Sequence, residues 1–120
     1  MIHVKTGKKL LDDLIAELTV GLDGVYGDRL KGLYLYGSYA RGEEDRESDL
    51  DILVVLEQFD HYAAEVNRTG ELASELSLKY GMTISPVFVR ETEWLDAIRP
   101  FYPTFVRRQS RYADHLVFEI

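Results

Sequence analysis

Near the N-terminus, apolar positions recur with a helical period. In residues 8–22, KKLLDDLIAELTVGL, the side chains of Leu10, Leu11, Leu14, Ile15, Leu18 and Leu22 fall on one stripe. Gly24 and Gly27 mark the end of that helix. The pattern then shortens. Leu33 to Tyr36 reads as a brief strand stopped by Gly37. After a polar stretch comes DLDILVVL, residues 49–56, whose aliphatic part from Ile52 to Leu56 reads as a buried strand. Helical spacing returns at Tyr62, Val66, Thr69, Ala73, Leu76 and Tyr80, and Gly81 ends it. Residues 82–89, MTISPVFV, read as a third strand. Pro86 has no N–H for a ladder, so that strand is at an edge or bulged. Thr92 is placed to cap a short helix, EWLDAI, ending before Pro100. Pro103 is placed to start a last helix through Tyr112. Leu116 to Glu119 reads as a final short strand. This order predicts an α/β (α+β) fold, a small mixed β-sheet with helices packed on it.

Composition narrows the picture. The 120 residues suit one domain, 1–120, and 46 % apolar residues supply a core. The absence of cysteine excludes disulfides and thiolate metal sites. No run is long and apolar enough for a membrane span, so a cytoplasmic protein is the simplest reading. The formal charge of −7 is concentrated: residues 43–60 hold eight acids against Arg46 alone. Such an acidic chain is poorly suited to gripping nucleic acid by phosphate neutralisation, whereas clustered carboxylates attract divalent cations.

Two short patterns carry candidate chemistry. Gly37 and Ser38 directly follow a strand. Glycine admits close backbone approach, free N–H groups and the Ser38 hydroxyl can donate to phosphate oxygens, and a plain tight turn is the alternative. Asp49 and Asp51 are two apart at the start of a strand, so both side chains point to one face. That is a donor set for Mg²⁺, which takes one or two carboxylates plus substrate phosphates; the alternative is a solvated strand end. Together the two patterns make most of a phosphoryl- or nucleotidyl-transfer site.

Gly37-Ser38, ten intervening residues and Asp49-x-Asp51 resemble the signature of the polymerase-beta-like nucleotidyltransferase superfamily. Arg41 and Gly42 in GSYARG, and Ser48 to Asp51 in SDLD, extend the likeness. The chain looks most like the smallest branch, the minimal nucleotidyltransferase (MNT) domains. The resemblance implies that Gly37, Ser38 and Arg41 contact the nucleotide phosphates and that Asp49 and Asp51 hold Mg²⁺. Arg41 is equally well read as half of a structural ion pair. Relatives carry a third carboxylate on the next long strand, as a metal ligand and as base for the incoming hydroxyl. Here the matching stretch is TISPVFV, with Ser85 where that acid belongs. Glu91 or Glu93 would substitute only in a different register.

The family further implies a partner. MNT proteins are often paired with a HEPN-domain toxin, which they neutralise by transferring AMP from ATP to a tyrosine. Such an antitoxin is the first expectation. A nucleotide-binding domain that is weak or inactive, and that neutralises its partner stoichiometrically, is the second. An antibiotic-modifying nucleotidyltransferase fits less well, because it needs a further acceptor domain.

The remaining residues read as structural. His3, His61 and His115 lack metal-ligand spacing. Tyr34, Tyr36 and Tyr39 surround the Gly-Ser turn as core and rim packing, or stack on a base. Trp94 reads as a packing anchor. Arg107, Arg108 and Arg111 form a solvated face or a patch for an acidic partner.

Overall fold

The computed structural model describes residues 7–36, 49–98, 108–112 and 115–119. The chain begins with α1 (Gly7–Tyr26), followed by a 3₁₀ turn (Gly27–Arg29). Strands β1 (Leu30–Tyr36) and β2 (Leu50–Leu56) follow, then α2 (Tyr62–Tyr80). Next are β3 (Ile84–Arg90) and α3 (Glu91–Ile98). The described chain ends with β4 (Arg108–Tyr112) and β5 (His115–Glu119).

The strands form one mixed sheet in the order β3-β2-β1-β5-β4. β1 runs antiparallel to β2 and parallel to β5; β2 and β3 are parallel; β4 and β5 are antiparallel. This is the expected fold class. The strand of Pro86 lies at the edge of the sheet, where a residue without an N–H costs no ladder bond.

Both faces of the sheet are covered, which explains the continuous apolar run in β2. Leu50, Ile52, Val54 and Leu56 point to one face and are buried against the α1 stripe of Leu11, Leu14, Ile15, Leu18 and Leu22 and against Leu76 of α2. Val55 points to the other face, into a smaller cluster with Tyr34, Phe118, Leu53, Val89 and Trp94 of α3. Helices α1 and α2 approach closely at Gly21, where an added Cβ would stand 2.5 Å from Leu72 Cδ1. Helix α2 stops as expected: Gly81 takes the left-handed conformation (φ 68°), and the N–H groups of Gly81 and Met82 both bond to Ser77 O.

Three local expectations change. Arg108–Tyr112 is not the end of a helix begun at Pro103 but a strand, and Pro103 itself lies outside the described residues. The antiparallel ladder with β5, from Arg108 opposite Glu119 to Tyr112 opposite His115, supplies the backbone partners a helix would have supplied internally. Thr92 is inside α3 rather than before it, since the helix starts at Glu91 directly after β3. β1 begins three residues earlier than its apolar run, at Leu30.

Candidate functional site

Asp49 stands immediately before β2 and Asp51 is its second residue. Leu50 between them is fully buried on the α1–α2 face, so the pleat turns both carboxylates to the α3 face. Asp49 is exposed and Asp51 partly so. Strand spacing puts the two residues roughly 7 Å apart along the chain. Asp51 is paired with Tyr36, the last residue of β1. The next residues in sequence are the expected phosphate-binding Gly37 and Ser38, which with Arg41 and Tyr39 lie outside the described residues.

On its other side Asp51 is paired with Ser85 of β3. Ser85 shares the carboxylate face, and its hydroxyl donates to Asp49 Oδ2 at 3.3 Å. The position expected to hold a third acid is therefore beside the aspartates and carries a hydroxyl. The same register excludes the two substitutes. Arg90 lies opposite Leu56, at the far end of the ladder. Glu91 follows Arg90, roughly 20 Å along the chain from Ser85 at strand rise, and Glu93 is tied to Arg90 Nη1 at 2.8 Å. Among the described residues no group of three or more His, Cys, Asp or Glu side chains lies together.

The donor set fits a hard divalent ion. Two carboxylates share one face at the rim of the sheet, and among the described residues neither is ion-paired to Lys, Arg or His. An ion such as Mg²⁺ bound by two such groups fills its remaining positions with water and phosphate oxygens, so a third protein ligand is not required for binding. A hydroxyl is neutral, so Ser85 adds no charge at the site and is no base at neutral pH.

The aromatic residues are tied together along the same face. Tyr34, opposite Leu53, stacks on Phe118 (centroids 4.8 Å apart) and meets Trp94 at 4.4 Å. The two described histidines gather no site: His61 precedes α2, exposed, and His115 contacts Asp23 of α1. His3 and Arg107 lie outside the described residues, and Arg111 is exposed on β4.

One polar cluster went unread in the sequence. Glu65, in the first turn of α2, is 3 % exposed; its Oε1 accepts from Tyr26 OH at 2.8 Å and from Arg68 Nε at 3.1 Å. Its signal was an acid three residues after Tyr62 and four before Thr69, flush with the apolar stripe. Burial, with Glu65 as acceptor, pushes the Tyr26 phenol well above its usual pKa. Near the other end of α2, Glu17 of α1 accepts from Tyr80 OH and Lys79. Both clusters lie on the α1–α2 side of the sheet, away from the aspartates.

Residues 26–114 match the family described as Nucleotidyltransferase domain. Three proteins of Methanocaldococcus jannaschii, each provisionally named a protein adenylyltransferase, are similar to the chain. One is 35 % identical over 67 % of this chain and 80 % of its own length. A second is 38 % identical over 64 % and 71 %, respectively. A third is 30 % identical over 78 % and 65 %. No solved structure matches.

Proposed function

Because this chain belongs to the nucleotidyltransferase domain family, we propose that it is a protein adenylyltransferase that transfers AMP from ATP to a tyrosine of a HEPN-domain toxin, and so acts as an antitoxin. Asp49 and Asp51 hold Mg²⁺ in this reading, and Gly37, Ser38 and Arg41 hold the triphosphate. The single observation that carries it is the placement of Asp49, Asp51 and Ser85 together at the rim of one sheet face, which supports the roles that the resemblance implies for the aspartates. The names of the M. jannaschii proteins support the choice of acceptor class. The toxin partner is supported by the resemblance to MNT antitoxins.

The reaction is an in-line displacement. The acceptor oxygen attacks the α-phosphorus, the bond from that phosphorus to the β-phosphate oxygen breaks, and pyrophosphate leaves. Bound divalent metal supplies charge stabilisation to the phosphates. The chain's own contribution is to fix the phosphates against the carboxylates in a near-attack geometry, a large share of phosphoryl-transfer catalysis. Ser85 itself is no base, so among the described residues at that position nothing takes the acceptor proton, which passes to water or to a phosphate oxygen. A phenol sheds it more readily than an alkyl hydroxyl, which suits tyrosine.

A second reading follows from Ser85 itself: a nucleotide-binding domain with weak or no turnover, neutralising its partner by binding. Co-expression with the partner separates the two. Intact-mass measurement of the partner should show additions of AMP that vanish in Asp49→Asn/Asp51→Asn. An unmodified but still neutralised partner would favour the second reading. Among the described residues no helix is long and apolar enough to cross a membrane.

A further inference from the structure

The α3 face of the sheet continues from the aspartates into an apolar strip that ends at an indole. Two residues beyond Asp51 on β2 is Leu53, and beside it in register is Val87 of β3. Both share the face of Asp51 and Ser85, and both are only partly buried. Trp94 of α3 stands at the far side of this strip, its ring against Tyr34, which is itself paired with Leu53. Tyr34 is in turn backed by Phe118, so the indole is held from behind while remaining partly exposed. The Tyr34 ring leans over Gly32, which is paired with Val55, and Trp94 packs on that same cluster. Val55 lies four residues beyond Asp51, roughly 13 Å at strand rise, so the indole stands toward the far end of β2, about a nucleoside's length from the carboxylates.

We propose that Trp94 is the base-stacking wall of the nucleotide site, with the purine lying over Leu53 and Val87 and its π-face against the indole. This rests on the assignment of the triphosphate to Asp49 and Asp51. An apolar floor with an aromatic wall suits a flat heterocycle, and the polar end of the strip, at the aspartates, is the phosphate end. Stacking is indifferent to base identity because every base has a π-face. Trp94 therefore adds affinity for nucleotides in general and does not select adenine over guanine.

Trp94 is the chain's sole tryptophan, so its fluorescence reports on this wall alone. Titrating the full chain with ATP and Mg²⁺ should quench and shift that emission. Inorganic triphosphate with Mg²⁺ should bind, by calorimetry, without changing it. Trp94→Leu should weaken ATP and GTP binding alike, by about tenfold, and leave triphosphate affinity unchanged; Trp94→Phe should recover most of the loss. Calorimetric binding of ATP with unaltered Trp94 emission would overturn the stacking wall and leave the phosphate assignment standing. Failure of both ATP and triphosphate to bind the wild-type chain would overturn both. The emission measurement needs no variant, so a poorly folded Trp94→Leu does not blunt the test.

Discussion

Ser85 Oγ donates a hydrogen bond to Asp49 Oδ2, 3.3 Å away across the β2–β3 boundary. The contact joins a residue of β3 to a carboxylate just before β2, and it places a neutral hydroxyl at the position where the resemblance expects a third acid. Two consequences follow, one for binding and one for turnover.

For binding, the two aspartates should suffice. Asp49→Asn/Asp51→Asn is expected to abolish Mg²⁺-dependent ATP binding in isothermal titration while circular dichroism stays native. Removing two like charges from one face relieves repulsion, so stability without ligand should hold level or rise. Equal Mg²⁺-dependent affinity in the variant and the wild type would remove the aspartates from the site.

For turnover, Ser85→Asp should raise the rate of AMP transfer to the partner, because it puts a proton acceptor and a third ligand beside Asp49. The same change adds a like charge next to two others, so the unliganded variant should lose about 1 kcal/mol, recovered on adding Mg²⁺. Transfer assays and denaturation with and without Mg²⁺ read the two effects separately. No gain in rate, with the Mg²⁺-dependent recovery intact, would show that the chemistry does not lack a base at this position.

The Glu65 cluster predicts an effect on stability alone. Glu65→Ala leaves the buried Tyr26 hydroxyl without its acceptor and should cost about 2–3 kcal/mol in urea denaturation. Glu65→Gln keeps an acceptor for Tyr26 and loses only the ion pair to the exposed Arg68, so it should cost under about 1 kcal/mol. ATP affinity should be unchanged in both, since the cluster is on the other side of the sheet.

The phenols give the alkaline limb of stability. Tyr26 is raised well above its usual range by burial and by Glu65, and Tyr80 is raised to about 12 by its bond to Glu17. Both native states hold the proton more tightly than the unfolded chain. Their contribution is thus complete below the unfolded phenol pKa of about 10, and it is lost as pH rises through the folded values. Urea midpoints should fall above pH about 10, and Tyr26→Phe with Tyr80→Phe should flatten that fall. Glu17, lowered by its bonds to Lys79 and Tyr80, acts in the opposite direction: its contribution is lost as pH falls through its depressed value. A midpoint in the double variant that falls as steeply as in the wild type would remove the phenols as the cause.

Some of the candidate site was legible before any fold was known. The Asp49-x-Asp51 spacing alone dictates that both carboxylates share a face, because strand side chains alternate. Residue type alone marks Ser85 as no base. Its adjacency to the aspartates is different in kind, since 34 positions separate Ser85 from Asp51 and only strand register joins them. Glu91 and Glu93 were open as substitutes for the same reason, and the pairing of Arg90 with Leu56 removes them.

What the sequence determined by itself was local and periodic. The stripes of α1 and α2, the stop at Gly81 and the apolar run of β2 each follow from steric and hydrogen-bonding rules acting over a few residues, as does the choice of edge or bulge that Pro86 imposes on its strand. Tertiary structure decided whatever needed a distant partner. Arg108–Tyr112 became a strand because β5 was there to pair with it, and Glu65 became a buried acceptor because Tyr26 of another helix reached it. Trp94 came to pack on Tyr34 because α3 turned back over the sheet. Local propensity differs between alternatives by less than about 1 kcal/mol per residue, so a ladder or a buried hydrogen bond supplied from elsewhere in the chain decides the outcome.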